Sequence, residues 1–250
     1  MMNAPINPAD INTIQGVYGA TPSLPFTLGN EGLGRVEGVG SGVCQFNVGD
    51  WVIPGTNAWG TWRSHAVEKE STLQRISNDI DPVMAATLAV NPCTAYRMLH
   101  DFVPLSKDDT VLQNGANSAV GQSVIQICHR LGLRTINIVR KRENIEELKQ
   151  ELIEMGADFV LTEEELRTST IFKDEKLAQP KLVLNCVSGK GVISLVKAVA
   201  NGGTIVTYGG MSRQPLVVPT SALIFKDIRL VGYWMTRWNW QHKNSSERYY

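Results

Sequence analysis

The chain has 250 residues, 24 Lys and Arg against 24 Asp and Glu, and a formal net charge of zero. That balance gives no field to gather nucleic acid or an anionic membrane surface, and no apolar run reaches the ~18 residues a membrane span needs. A hydrophobic content of 43% and a charged content of 19% describe an ordinary soluble globular protein, long enough for one large domain or two. In chain order, residues 1–90 are rich in Gly and Pro, with short β-like runs at 34–39, 50–54 and 62–67. They read as a separate, mostly β, substrate domain. Gly32-Leu33-Gly34 and Gly38-Val39-Gly40-Ser41-Gly42 lie among these runs without a following helical pattern, so they read as tight turns and bulges rather than phosphate loops. Over 91–240 the pattern changes to α/β. Strands at 110–113, 135–139, 159–161, 182–186, 204–208 and 229–232 alternate with helices at 119–131, 143–155, 189–200 and 220–226. Such alternation builds right-handed crossovers and a doubly wound parallel sheet. A polar tail, 241–250, ends the chain.

Cys44, Cys93, Cys128 and Cys186 are scattered without a CxxC, which suggests neither a disulfide framework nor a zinc ribbon and fits a reducing compartment. His65, His100, His129 and His242 have no metal-ligand spacing, and no GxSxG elbow is present, so no metal site or hydrolase is expected. The N-terminus shows neither a signal h-region nor an Arg-rich leader. Asn244-Ser245-Ser246 matches a glycosylation sequon, read as chance without a signal peptide.

Chemistry concentrates where the first α/β strand meets its helix. The turn Asn114-Gly115-Ala116-Asn117-Ser118-Ala119-Val120-Gly121 joins an apolar strand to a periodic helix, and the next strand leads into Arg140-Lys141-Arg142. A dinucleotide site lays pyrophosphate on the N–H groups of a helix N-terminus after a glycine turn. Ser118 departs from the fingerprint, standing where the spacing wants a glycine. An NAD site places its ribose-binding acid about 20 residues on. Arg140, 19 positions after Gly121, is cationic instead. Arginines pair a 2′-phosphate in a bidentate fork, whereas an acid would repel it, so the pattern points to NADPH. The alternative is a solvated flank of the next helix. Position at the strand's carboxyl end, where open α/β sheets bind ligands, favours the phosphate site.

Ile6-Asn7-Pro8-Ala9-Asp10-Ile11-Asn12, Gln15-Gly16-Val17-Tyr18-Gly19 and Gly29-Asn30-Glu31-Gly32 resemble the medium-chain dehydrogenase/reductase superfamily. Its zinc alcohol dehydrogenases carry His at the position of Asn30 and an upstream Cys ligand. Neither is here, so the resemblance is to the zinc-free branch and implies no metal. Further motifs are Gly60-Thr61-Trp62-Arg63, Val90-Asn91-Pro92-Cys93-Thr94-Ala95-Tyr96-Arg97-Met98-Leu99, Tyr208-Gly209-Gly210-Met211 and Phe225-Lys226-Asp227. Together they resemble the mitochondrial trans-2-enoyl-thioester reductases of fatty acid synthesis, over about residues 4–240.

That resemblance implies a Rossmann cofactor domain over 91–240 and a partial GroES-like substrate domain over 1–90, in a chain truncated at both ends. It implies mitochondrial matrix localisation, a homodimer, NADPH, and an enoyl thioester carried on acyl carrier protein or CoA, with no nucleic-acid or membrane partner. Hydride reaches Cβ and a proton reaches Cα. Tyr18 matches the proton donor, and an unperturbed phenol is protonated at neutral pH; on its residues alone it is one of six tyrosines, in a Gly-flanked loop where a Tyr is often an anchored surface aromatic. Asn91, Asn117, Ser118, Ala119, Val120, Arg140, Lys141, Arg142, Tyr208, Gly209, Gly210, Met211, Tyr233, Trp234 and Met235 are carried over as cofactor contacts. For Tyr233, Trp234 and Met235 core packing is the alternative; Trp234 is also a candidate for the acyl pocket, as are Trp59 and Trp62 more weakly. A quinone oxidoreductase of the same superfamily and a catalytically silent NADPH-binding fragment are the competing readings.

Overall fold

The computed structural model describes residues 1–20, 22–56 and 58–242. The sequon at Asn244 and the tail beyond His242 lie outside the described residues. The chain divides into two compact units, Met1–Cys93 joined by Met235 onward, and Thr94–Trp234.

In the first unit, α1 (Pro8–Ile14) starts at Asn7. Pro8 occupies the first helical position, where a missing N–H costs nothing. The Asp10 carboxylate accepts the Asn7 N–H at 2.8 Å, half of a capping box. An antiparallel sheet follows, ordered β1 (Gly34–Arg35), β2 (Trp51–Pro54), β3 (Leu73–Ile76). Leu33 and Ile53 pack with Ala85 and Ala86 of α2 (Pro82–Ala86), which Asp81 N-caps at Val83 and Met84. The division between units falls in the first turn of α3 (Asn91–His100).

Two of the expected strands differ in the structure. The run 34–39 is a strand only at its first two residues, because Gly38, Gly40 and Gly42 beyond it have open space where a side chain would pack. The run 62–67 forms no strand: the Arg63 N–H turns back onto the Thr61 carbonyl and Val67 is fully exposed. β3 was not anticipated, and α1 was not either, because its helical signal is a cap and a proline rather than an apolar stripe.

In the second unit the strands are β4 (Thr110–Asn114), β5 (Arg134–Val139), β6 (Phe159–Thr162), β7 (Leu182–Asn185), β8 (Thr204–Thr207) and β9 (Arg229–Gly232). The helices are α4 (Ala119–Leu131), α5 (Ile145–Glu154), α6 (Glu163–Thr168), α7 (Ile171–Asp174), α8 (Val192–Ala198) and α9 (Thr220–Lys226). All six strands are parallel, ordered β6-β5-β4-β7-β8-β9. The fold is therefore the expected doubly wound one, with the sequence of strands reversing direction between β4 and β7. Leu112, Ile136, Val183 and Ile205 are fully buried in its core, each contributing about 1.5–3 kcal/mol of burial. The expected helix 189–200 is shorter, a 3₁₀ turn at Gly189–Gly191 leading into α8. α10 (Met235–Gln241) closes the described chain.

Candidate functional site

The β4–α4 turn lies at the switch point, where the crevice of such a sheet opens at the strands' carboxyl ends. Gly115 has φ +62°, and a Cβ there would meet Cys186 Sγ at 2.4 Å. A Cβ on Gly121 would meet the Ala116 carbonyl at 2.5 Å, so α4 packs against the turn as only glycine allows. Ser118 has a local explanation: it is the N-cap of α4, its hydroxyl accepting the Gly121 N–H at 3.1 Å. Asn117, Ser118 and Ala119 stand at the helix mouth while Val120 is buried in the core.

An amide ladder runs across the carboxyl edge. Asn114 Nδ2 donates to Asn185 Oδ1 at 2.8 Å, and Asn185 Nδ2 to Thr207 Oγ1 at 3.1 Å. Asn185 Oδ1 also accepts the Ser188 N–H, and Asn114 Oδ1 the Cys186 N–H. The ladder holds the loop after β7, on which the loop after β8 rests: Met211 N–H donates to the Cys186 carbonyl and Ser188 Oγ to the Gly209 carbonyl. Tyr208, Gly209, Gly210 and Met211 therefore sit beside the β4 turn. The Tyr208 hydroxyl is buried without a hydrogen bond of normal geometry, facing Cys186 and Ser118. Burial pushes it well above the ordinary phenol range, and the Cys186 thiol adds to the shift. The ladder is the part of this edge that sequence reading missed. Its signal is a polar residue closing a strand with an apolar centre, Asn114 on β4, Asn185 on β7 and Thr207 on β8.

Arg140, Lys141 and Arg142 follow β5 directly, all exposed and, among the described residues, in no ion pair. An unpaired cation cluster on an edge shared with a glycine turn, a helix mouth and an unpartnered buried hydroxyl fits an anionic dinucleotide. Tyr233 is buried, edge-on to Phe102 with centroids 5.8 Å apart. Trp234 is half-buried, and Met235, buried, opens α10.

In the first unit, Gly16 (φ +67°) turns the chain after α1 so that the Tyr18 N–H donates to the Asn12 carbonyl at 3.2 Å. Tyr18 is half-buried on this turn. Nearby in sequence is a buried network that sequence reading left out. Glu31, 1% exposed, accepts from Asn7 Nδ2 and from the Val90 N–H, both at 2.8 Å. Asn91 Nδ2 donates to Asn7 Oδ1 at 3.2 Å. Burial pushes the Glu31 carboxyl up to about 7, against the lowering effect of these two hydrogen bonds. Asn30 donates to Asp10 Oδ1 at 2.7 Å and accepts the Ala58 N–H, so its amide serves as a loop clamp. Among the described residues no cluster of three metal-ligating side chains occurs. Trp62 Nε1 donates to the Pro5 carbonyl, and Trp59 lies under the Arg63 guanidinium, 4.2 Å from ring centroid to carbon. Burial pushes the Cys128 thiol up to about 12 and raises Cys186 as well, so neither is a ready thiolate nucleophile.

The alcohol dehydrogenase GroES-like domain family matches residues 1–77, and the zinc-binding dehydrogenase family residues 119–246. The mitochondrial enoyl-[acyl-carrier-protein] reductase of Mus musculus is 55% identical over 245 residues, 97% of this chain and 65% of the relative. That of Caenorhabditis elegans is 53% identical over 246 residues, 98% and 70%. The mitochondrial 2-enoyl thioester reductase Etr1p/Etr2p heterodimer of Candida tropicalis superposes with a TM-score of 0.89 at 38% identity, covering 98% of this chain and 74% of that one. Etr1p solved with NADP and crotonyl-CoA gives 0.90 at 36%, with the same coverage. The chain thus spans about two thirds of the length of the curated relatives it matches. Its parallel sheet order, its glycine turn and these matches agree: it belongs to the mitochondrial enoyl-[acyl-carrier-protein] reductase family of medium-chain dehydrogenases/reductases.

Proposed function

We propose that the protein reduces trans-2-enoyl thioesters, carried on acyl carrier protein or CoA, to acyl thioesters with NADPH, in mitochondrial fatty acid synthesis. The observation that carries the cofactor choice is the exposed Arg140-Lys141-Arg142 triplet at the carboxyl end of β5. Family membership supports the reaction. When bound, NADPH supplies the hydride. Asn117, Ser118, Ala119 and Val120 hold the pyrophosphate at the α4 mouth, and Arg140, Lys141 and Arg142 clamp the 2′-phosphate. Tyr208, Gly209, Gly210, Met211, Tyr233, Trp234, Met235 and Asn91 serve the nicotinamide end. Tyr18 donates its phenolic proton to Cα of the enolate. Residues 1–90 are the substrate portion and 91–240 the cofactor portion. Mitochondrial location and a homodimer are proposed from the same family.

The test is NADPH oxidation by the 250-residue chain with crotonyl-CoA, against a quinone. Wild type is expected to turn over crotonyl-CoA and Tyr18→Phe to lose about 100-fold or more of that rate. Turnover of the quinone alone, or an unaffected Tyr18→Phe variant, overturns the reading. NADPH binding with no turnover at all favours the silent fragment.

A further inference from the structure

Glu31, Asn7 and Asn91 form a hydrogen-bond relay with a fixed polarity. Both Glu31 oxygens accept, one from the Val90 N–H and one from Asn7 Nδ2. With both oxygens accepting, and with the carboxyl ionised above its pKa of about 7 so that it offers no donor, Asn7 turns its NH₂ to Glu31 and its oxygen to Asn91. Asn91 must in turn give its NH₂ to Asn7, which directs its own oxygen away from the relay. The Asn7 backbone N–H donates to Asp10 Oδ2 as the cap of α1, which keeps the residue in place and leaves only the sense of its amide to vary. We propose that Glu31 is a positioning residue: through the Asn7 amide it fixes the Asn91 side chain so that an oxygen acceptor, not an NH₂ donor, meets the carboxamide of a bound nicotinamide. Its burial at 1% exposure keeps water from taking the place of the partners of its carboxyl. The inference rests on the assignment of Asn91 to the nicotinamide end made above.

The polarity makes it testable. In Glu31→Gln the Val90 N–H still demands an oxygen, so the new NH₂ faces Asn7. Asn7 then flips, Asn91 flips, and Asn91 presents a donor. Adding Asn7→Asp restores an acceptor between two NH₂ groups and returns Asn91 to its original sense. Calorimetric affinities of the full 250-residue chain for NADPH and for 2′,5′-ADP, which lacks the nicotinamide, read this out at a pH well above about 7, where Glu31 is ionised. Glu31→Gln is expected to weaken NADPH about tenfold, the scale of one mispaired hydrogen bond, and to leave 2′,5′-ADP unchanged. Glu31→Gln with Asn7→Asp is expected to recover NADPH affinity. Asn7→Ala, which keeps Glu31 in place, should show the same selective loss if Glu31→Gln fails to fold. A loss shared equally by both ligands, no loss in either variant, or a double variant no tighter than Glu31→Gln overturns the relay. Failure of the wild-type chain to bind NADPH is a separate result, and overturns the cofactor reading together with the relay built on it.

Discussion

Gly115 and Gly121 are glycines for different reasons. At Gly115 the backbone itself is left-handed and Cys186 fills the place of a side chain; at Gly121 the helix backbone meets the Ala116 carbonyl. Alanine at either position forces the turn open. We expect Gly121→Ala to cost about 2 kcal/mol of stability, within the range for overpacking, read from denaturant midpoints at constant m-value. A cost under about 0.5 kcal/mol would mean that the turn yields freely. Ser118 illustrates the complementary case. The position that departs from the glycine fingerprint keeps its function locally, because a serine at an N-cap satisfies a helix N–H that glycine would leave to solvent or ligand.

At the scale of elements, the carboxyl edge of the parallel sheet gathers what matters. β4 delivers the glycine turn, β5 the cationic triplet, and β7 and β8 the loops joined by the Asn114–Asn185–Thr207 ladder. The triplet is the most separable of these parts, since its side chains are exposed and, among the described residues, in no ion pair. Arg140→Ala with Arg142→Ala should weaken NADPH by at least about tenfold per lost charge-assisted contact while leaving NADH nearly unchanged. Equal losses for both cofactors would remove the triplet from the phosphate site. Elsewhere on the sheet a lysine stabilises a helix end: Lys226 Nζ of α9 donates to the Val196, Lys197 and Val199 carbonyls where α8 finishes, meeting the negative end of the helix dipole.

For the molecule as a whole, the buried Glu31 carboxyl couples folding to pH. Its folded pKa of about 7 lies above the ordinary 4.5, so between those values the folded chain binds a proton that the unfolded chain has released. Stability from this group is therefore greatest below about 4.5 and falls as pH rises to about 7, by about 3 kcal/mol in total. Asp109, held down by Lys181, and Glu165, held down by the Thr162 N–H and Lys149, act in the opposite direction. They cancel in the difference between wild type and Glu31→Gln. That difference in unfolding free energy, followed from pH 4.5 to 7.5, should shift by about 3 kcal/mol in favour of the glutamine protein; a flat difference would show that Glu31 does not titrate on folding.

The sequence by itself determined the second unit: strands buried on both faces become continuous apolar runs such as Leu182-Val183-Leu184, and their alternation with helical stripes leaves one topology class. It also marked the glycine turn and Arg140-Lys141-Arg142, because a tight turn, a helix mouth and a strand-end charge cluster are local in the chain. The first unit was less legible. Its strands are only two to four residues long, and a short pleat carries too few alternations to distinguish β3 from the unpaired run 62–67. Tertiary structure alone decided the polar networks. Glu31 and Val90 stand 59 positions apart, Asn7 and Asn91 84, and Asn114 and Asn185 71. A single amide or carboxyl has no periodicity to announce its partner. Only the folded backbone, by burying these groups away from water, makes each depend on the other.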